Sequence, residues 1–431
     1  MTSDTQLQLF DAGRQDEAVS DRSSSTFVDN MRLPVHRWFR YSAGFSGRWA
    51  QAVIAEHAAR GPTRVLDPFA GSGTTLIAAE DAGVETYGIE AHPFISRVAR
   101  AKLAGRSNPQ DYRDFAEGVF KAASRLSPVI DRYPKLIRKC YGDEALGGLD
   151  QLRRAYEDRA DGSDASELTW LTLAGILRKV SPVGTAQWQY VLPSKSKKNP
   201  LDPWIAFTEQ INIIHRDMCL SARLKGPRAR ILAGDARLCE GVPPGFATLI
   251  LTSPPYTNNY DYADATRLEM TFLGEIEGWG DLQNAVRRHL VRSCSQHVPP
   301  RSVDLGQVLQ SPLLDSIRSQ IVPVCDQLRE IRKKKGGRKT YHLMVGCYFL
   351  DMAQTWRALR GVCDSPSRIC YVIGDSAPYG VYVPVIQWLG DLAIAAGFRS
   401  LTFEKTRDRN IKWKNRKHRV PLCEGRLWVD G

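Results

Sequence analysis

The first residues of this chain that could bind a ligand form a glycine-rich turn at 67–74. An apolar run at 64–66 leads into it and a helical pattern follows. Glycines let the backbone approach a ligand closely, and the N-terminus of a helix offers free N–H groups. Glu90 ends a second strand pattern about 20 residues later, where a carboxylate can bind ribose hydroxyls. These features predict a nucleotide-type cradle, with an ordinary strand-to-helix turn as the alternative for the glycines alone.

The second segment is an apolar strand pattern at 249–251 that ends in Thr252, Ser253, Pro254, Pro255 and Tyr256. The turn itself consists of Asp67, Pro68, Phe69, Ala70, Gly71, Ser72, Gly73 and Thr74. Together the two segments resemble the amino-methyltransferases of DNA, which methylate exocyclic nitrogens using S-adenosylmethionine. The resemblance covers the sheet-forming parts of the chain and implies S-adenosyl-L-methionine as the cofactor.

The resemblance also implies how the second segment works. Methyl transfer from a sulfonium to nitrogen depends mainly on positioning, but an exocyclic amine is a poor nucleophile because its lone pair is delocalised. The Ser253 hydroxyl and the Pro254 carbonyl could accept the amine N–H groups, while Pro255 restricts the backbone and Tyr256 offers a stacking face. These are the predicted catalytic residues, and a target in duplex DNA would have to be flipped out. An X-Pro-Pro turn without chemistry is the alternative.

The resemblance assigns further residues to the cofactor. It implies that Asp67 lies near the methionine amino group, that Glu90 binds the ribose and that Asp235 meets the adenine amino group. Asp235 ends the strand predicted at 229–235, and it could instead cap a helix. An aromatic segment at 34–46 could help to enclose the methionine end, or could be core packing. The turn residues from Asp67 to Thr74 complete the predicted cofactor site.

The target base follows from Ser253. Cytosine C5 methylation needs a cysteine nucleophile, normally in a Pro-Cys pair that this chain lacks. Family members acting on cytosine N4 mostly carry Ser at this position, and those acting on adenine mostly carry Asp or Asn. We therefore expect a site-specific DNA cytosine-N4 methyltransferase of restriction-modification or phage defence, with cognate restriction or defence proteins as candidate partners. Adenine N6 methylation, RNA base methylation and a catalytically silent nucleic-acid-binding protein remain the alternatives.

Alternating strand and helix patterns position these residues. They predict an α/β fold, a doubly wound mostly parallel sheet with helical insertions, and the resemblance adds seven strands in the Rossmann-like methyltransferase arrangement with one strand reversed. The expected methyltransferase domain consists of the cofactor-binding segment at 31–104, the segment with Ser253 at 204–273 and the remaining segment at 341–431. A flexible tail at 1–30 precedes it. Two insertions interrupt it: a helical insertion at 105–203, which is a candidate for target recognition, and a basic insertion at 274–340, which is a candidate for DNA contact.

Composition favours a nucleic-acid partner. The 431 residues carry a formal net charge of +12 at pH 7, which suits a polyanion such as duplex DNA. No apolar run could span a membrane and no secretory signal is visible, so we expect a cytoplasmic protein. The nine cysteines and eight histidines form no metal-ligand spacing, and no metal is expected. The predicted DNA-binding residues lie in three basic runs and are Lys195, Lys197, Lys198, Lys333, Lys334, Lys335, Arg338, Lys412, Lys414 and Arg416.

Overall fold

A seven-stranded sheet forms the centre of the part of the chain that the computed structural model describes, residues 27–41, 44–183, 199–258, 260–299, 303–336, 339–409 and 420–431. Its strands are β1 Arg64–Asp67, β2 Glu85–Glu90, β3 Arg230–Ala233, β4 Ala247–Thr252, β5 Cys363–Gly374, β6 Ser400–Arg409 and β7 Leu422–Asp430. They lie in the order β3-β2-β1-β4-β5-β7-β6. Strand β7 runs opposite to the other six strands of this sheet, so the predicted mostly parallel sheet with one reversed strand is confirmed.

Both faces of the sheet are covered by helices. Successive side chains of a strand point to opposite faces, so Leu66 and Ile250 pack with one set of helices while Val65 and Leu249 pack with another. The helices are α1 Gly47–Ala58, α2 Thr74–Asp81, α3 Pro93–Leu103, α4 Pro109–Ala123, α5 Lys135–Cys140, α6 Asp143–Arg159, α7 Asp164–Val180, α8 Pro203–Ser221, α9 Tyr262–Ala265, α10 Arg267–Phe272, α11 Leu282–Ala285, α12 Leu305–Leu309, α13 Arg318–Lys334, α14 Tyr341–Val362 and α15 Val385–Ala395. Helices α1 and α2 cover one face, and α14 and α15 the other.

The region predicted as a helical insertion contains α4 to α7. Asn108 and Ser163 cap α4 and α7 by accepting hydrogen bonds from backbone N–H groups of the first turn. The insertion joins the core beside α3, where the Phe94 and Trp170 rings lie 5.3 Å apart between centroids. It is therefore packed against the sheet domain rather than held away from it. The second predicted insertion, at 274–340, contains α11, α12 and α13, and α13 packs against α14.

The described residues include the last part of the segment predicted as a tail. A short 3₁₀ helix spans Phe27–Arg32, and Asn30 within it is fully buried. Its side-chain amide donates to the Phe45 carbonyl oxygen at 2.8 Å and accepts from the Gly47 N–H at 2.8 Å. Both ends of this amide are therefore satisfied in the interior, where Asn30 contacts residues 45 and 47. Residues 1–26 of the predicted tail lie outside the described residues.

Among the described residues, no helix is both long and apolar enough to cross a membrane. Within the same ranges, His, Cys, Asp and Glu side chains form no group that could hold a metal ion. The cysteines of the described ranges form no disulfide bond, and most of them are buried.

Candidate active site

A cavity of about 370 Å³ opens at the carboxyl ends of the parallel strands. Gly71 comes from the turn after β1, Glu90 from the end of β2, Asp235 from the segment after β3, and Ser253 and Tyr256 from the segment after β4. The carboxyl edge of an open α/β sheet is where such folds bind ligands. The sheet thus brings both predicted motifs to a single cavity, although their residues are far apart in the sequence.

The turn after β1 is held to the end of β2 by Glu90. The Gly71 N–H donates to one carboxylate oxygen of Glu90 at 2.7 Å, and the His92 N–H donates to the other at 2.8 Å. Gly71 and Gly73 have φ values of +52° and +89°, which glycine adopts without strain. Burial raises the pKa of Glu90 to about 7. Glu90 lines the cavity, where its carboxylate oxygens could also accept hydrogen bonds from ribose hydroxyls.

Asp67 connects the two motifs from behind the cavity. Its carboxylate accepts a hydrogen bond from the Thr252 hydroxyl at 2.5 Å and another from the Phe69 N–H at 3.0 Å. The residue is buried, and burial raises the pKa of its carboxyl group to about 6. It is not among the residues that line the cavity. Its predicted contact with the methionine amino group stays a prediction, and its observed contacts join the ends of β1 and β4.

The other turn residues fall into two groups, those that line the cavity and those that do not. Pro68, Phe69 and Gly71 line the cavity, whereas Ala70, Ser72, Gly73 and Thr74 do not. Ser72 and Thr74 are buried, and Gly73 directly precedes α2 as its N-cap. The residues that do not line the cavity form the inner side of the turn and the start of α2.

Ser253 and Tyr256 occupy the cavity wall next to β5. The Ser253 hydroxyl donates to the Val372 carbonyl oxygen at 3.1 Å, and its Oγ has two lone pairs that can accept hydrogen bonds. The guanidinium carbon of Arg409 lies 5.1 Å from the centroid of the Tyr256 ring. Pro255 lines the cavity, whereas Pro254 is buried and does not. The acceptor role of the Pro254 carbonyl remains a prediction.

Asp235 lines the cavity but already has a charged partner. Its carboxylate lies 2.6 Å from Nη2 of Arg237 and also accepts from the Arg237 N–H at 2.9 Å. Arg237 in turn lies 3.3 Å from the buried carboxylate of Asp351 on α14. No helix begins between Asp235 and β4, so the helix-cap alternative does not apply to this residue.

Several lining residues were not predicted from the sequence. His92 follows Glu90 by two residues and could have been found by extending the β2 motif. Arg407 and Arg409 lie in the last three residues of β6, and Glu424 on β7 lies opposite Arg407. Glu424 accepts a hydrogen bond from Nη2 of Arg407 at 2.6 Å. Arg407 belongs to a basic run that the sequence predicts only as a phosphate-binding surface, and no local pattern indicates that it reaches the cavity.

The cavity fits the S-adenosyl-L-methionine that the resemblance implies. Its volume falls within the range of small-molecule sites, roughly 300–1,000 Å³. Glu90 offers carboxylate oxygens for ribose hydroxyls, and Phe69, Ile89 and Ala91 offer apolar surface. A side chain at Gly71 would start 3.5 Å from the Tyr41 ring, so the glycine leaves this part of the cradle open.

The predicted DNA-binding lysines of the second basic run lie at the C-terminal end of α13. Lys333, Lys334 and Lys335 are exposed, and Nζ of Lys333 lies 2.7 Å from a carboxylate oxygen of Glu330. The remaining predicted DNA-binding residues lie outside the described ranges, and these are Lys195, Lys197, Lys198, Arg338, Lys412, Lys414 and Arg416.

Comparison with known proteins adds two findings. Residues 35–101, which include the glycine turn and Glu90, match the sequence model of a family described as DNA methylase, N6_N4_Mtase. The chain is also similar over most of its length to type II methyltransferases. M.AvaI of Nostoc sp. and of Anabaena variabilis are each 25% identical over 419 residues, covering 90% of this chain and 84% of the relative. M.BsoBI of Geobacillus stearothermophilus is 22% identical over 426 residues, covering 88% and 82%.

Proposed function

This chain belongs to the N4/N6 family of DNA amino-methyltransferases, and on that premise we propose that it methylates N4 of a flipped cytosine in duplex DNA. Enzymes of this family use S-adenosyl-L-methionine. The observation that carries the proposal is the shared cavity, in which Ser253 and Tyr256 face the same space as Gly71 and Glu90. A base amine and a methyl donor could therefore meet there.

The residues of the chain act mainly by positioning. The bound cofactor would supply a methyl group on a positively charged sulfur, which an amine lone pair can attack. Oγ of Ser253 is oriented by its bond to the Val372 carbonyl and can accept an N–H of the amine. That contact draws the lone pair out of conjugation with the base ring, and Tyr256 can stack on the base. No covalent nucleophile is needed.

The choice of cytosine rests on Ser253, the residue type that family members acting on N4 mostly carry at this position. Adenine N6 is the second candidate, because the glycine turn comes before the Ser-Pro-Pro-Tyr segment and many serine-type enzymes have the reverse order. The similar proteins are named type II methyltransferases. We extend this to a site-specific role in restriction-modification or phage defence, beside a cognate nuclease or another defence protein.

The test combines product analysis with Ser253→Ala. DNA modified by the wild type is digested to nucleosides and analysed by mass spectrometry, and we expect N4-methylcytosine. Ser253→Ala should lower kcat by roughly 10- to 1000-fold and leave cofactor affinity nearly unchanged, because it removes one hydrogen bond made to the reacting amine.

Ser124→Ala provides the matched control. Its hydroxyl also donates to a backbone carbonyl, that of Lys121 at 3.0 Å, but it lies on the exposed end of α4. This variant should retain wild-type turnover. N6-methyladenine as the only product would overturn the cytosine assignment. Neither methylated base, with cofactor bound and several DNA sequences tried, would contradict methyl transfer to DNA.

A further inference from the structure

The reversed strand β7 and its partner β6 bring an arginine to the part of the cavity wall that Ser253 and Tyr256 also line. Arg409 is the last residue of β6, and it lines the cavity together with Ser253 and Tyr256. Its guanidinium carbon lies 5.1 Å from the centroid of the Tyr256 ring. The guanidinium lies over one face of that ring, so a target base that stacks on the rest of the same face has its edge beside Arg409.

The Arg409 side chain is held in place from several directions. Its Nη1 donates to the Asp375 carbonyl oxygen at 2.9 Å, and its Nε lies 3.5 Å from a carboxylate oxygen of the buried Glu424. A Cβ atom at Gly374 would lie 3.0 Å from Cδ and 3.1 Å from Nη1 of Arg409, so the glycine leaves room for this side chain. A guanidinium fixed in this way loses little rotamer freedom on binding a ligand.

The charge around Arg409 suits a neutral partner. Glu424 lies within ion-pair distance of both Arg407 and Arg409, and its carboxylate offsets part of their positive charge. A contact dedicated to phosphate gains from uncompensated charge, whereas recognition of a base edge needs only oriented N–H donors. The geometry thus favours base recognition over attraction of the DNA backbone.

We propose that Arg409 selects cytosine by donating to the acceptors beside its exocyclic amine. Along the edge that carries N4, cytosine presents N3 and then O2, both acceptors, and a guanidinium carries several N–H donors and no acceptor. Adenine presents N1 beside its amine and then a C–H group, so the same fork could make only one bond. This inference rests on the proposed cytosine-N4 activity and names the residue that gives it base specificity.

The experiment compares Arg409→Met and Arg409→Lys with the wild type. The substrates are a duplex with the site found by sequencing modified plasmid DNA and the same duplex with the target cytosine replaced by adenine. Arg409→Met should lower kcat/KM on cytosine by roughly 10- to 100-fold while changing the slow reaction on adenine little. Arg409→Lys should recover little of the loss, because an ammonium lacks the planar fork. Cofactor affinity and thermal unfolding report whether each variant is folded.

Salt dependence separates base recognition from a phosphate contact. Lys405→Met is the matched control, since it removes one positive charge from the exposed face of the same strand. We expect the slope of log DNA affinity against log salt concentration to be the same for Arg409→Met as for Lys405→Met. Phosphate binding by Arg409 would have three signs. The salt slope of Arg409→Met would be shallower by about one, its ratio of kcat/KM on cytosine to that on adenine would be unchanged, and Arg409→Lys would restore DNA affinity. That result would overturn the inference.

The product of the wild type distinguishes the two possible failures. If the wild type forms only N6-methyladenine, the proposed function fails and the selection of cytosine by Arg409 fails with it. If the wild type forms N4-methylcytosine and Arg409→Met retains the full cytosine-to-adenine ratio, the inference about Arg409 alone is wrong.

Discussion

At the scale of single residues, Glu90 carries two contacts that a ligand must leave intact or replace. Its carboxylate accepts backbone N–H groups from Gly71 and His92, and so connects the glycine turn to the end of β2. Burial raises its pKa to about 7, against about 4.3 for an exposed glutamate. The protonation state of Glu90 therefore changes within the neutral range, and cofactor binding should respond to it.

We predict that cofactor affinity depends on pH through Glu90. Only the ionised carboxylate can accept hydrogen bonds on all its lone pairs, so the dissociation constant should be about tenfold higher at pH 6 than at pH 8. Titration calorimetry at both values measures this difference. Glu90→Gln should weaken binding and remove the pH dependence, whereas Glu85→Gln, at the opposite end of β2, should keep it. Equal wild-type affinity at the two pH values would contradict the prediction.

As pH rises, the free energy of unfolding should change in the opposite direction to cofactor affinity. Because the pKa of Glu90 is higher in the folded chain than in the unfolded chain, the unfolded chain loses its proton first as pH rises. The contribution of this residue to the free energy of unfolding therefore falls between the unfolded pKa of about 4.3 and the folded value. Asp67, whose pKa burial raises to about 6, shifts stability with the same sign.

At the scale of elements, the turn between β1 and α2 depends on a backbone conformation that few residues tolerate. Gly71 has a φ of +52°, and its N–H donates to Glu90 in that conformation. A Cβ atom there would lie 3.5 Å from the Tyr41 ring, on the wall of the cavity. The turn therefore needs a glycine both for its backbone and for the space that a ligand would occupy.

We predict that Gly71→Val abolishes binding of S-adenosylmethionine. The valine side chain would strain a left-handed backbone, at a cost of about 1–3 kcal/mol, and would occupy the ligand side of the turn. Titration calorimetry measures the affinity, and circular dichroism checks the fold. Gly61→Val is the control, because a Cβ atom at that position meets no atom within 4 Å. A folded Gly71→Val protein with wild-type affinity would show that the cofactor does not contact this turn.

At the scale of the whole molecule, excess positive charge should contribute to DNA affinity. The chain carries a formal net charge of +12, and the exposed lysines 333–335 lie at the C-terminal end of α13. Helix α13 packs on α14 next to the sheet, which holds this group of charges at a fixed place on the domain. Lys333 also pairs with Glu330, so its share of any phosphate contact is reduced.

We predict that changing lysines 333–335 to glutamine weakens DNA binding on every sequence tested. The slope of log affinity against log salt concentration should become shallower by about 2, because fewer counterions are released. Fluorescence anisotropy with unrelated duplexes measures the slope. The control changes Lys225 and Lys405, which are exposed and lie outside both predicted insertions. If the slope of the first variant equals that of the wild type, this end of α13 faces solvent in the complex.

Local patterns in the sequence determined the sheet and the two motifs. Alternating apolar strands and helical segments predict a doubly wound sheet, because each element must bury one face against the next. The distance from the turn to Glu90 places that acid at the neighbouring strand end, since a short βαβ unit brings the two edges together. Local patterns therefore predict the fold class and the glycine turn, although the strand pairings of the sheet also join segments that are far apart in the sequence.

Only the tertiary structure decided which distant side chains share the cavity. Asp67 meets Thr252 rather than lining the space, and Asp235 is held by Arg237 and through it by Asp351 on α14. Arg409 reaches Tyr256 because β7 is inserted antiparallel between β5 and β6. Periodicity shows which face of an element is buried but not which element lies beside it. That choice depends on strand order and long-range packing, which no short stretch of sequence contains.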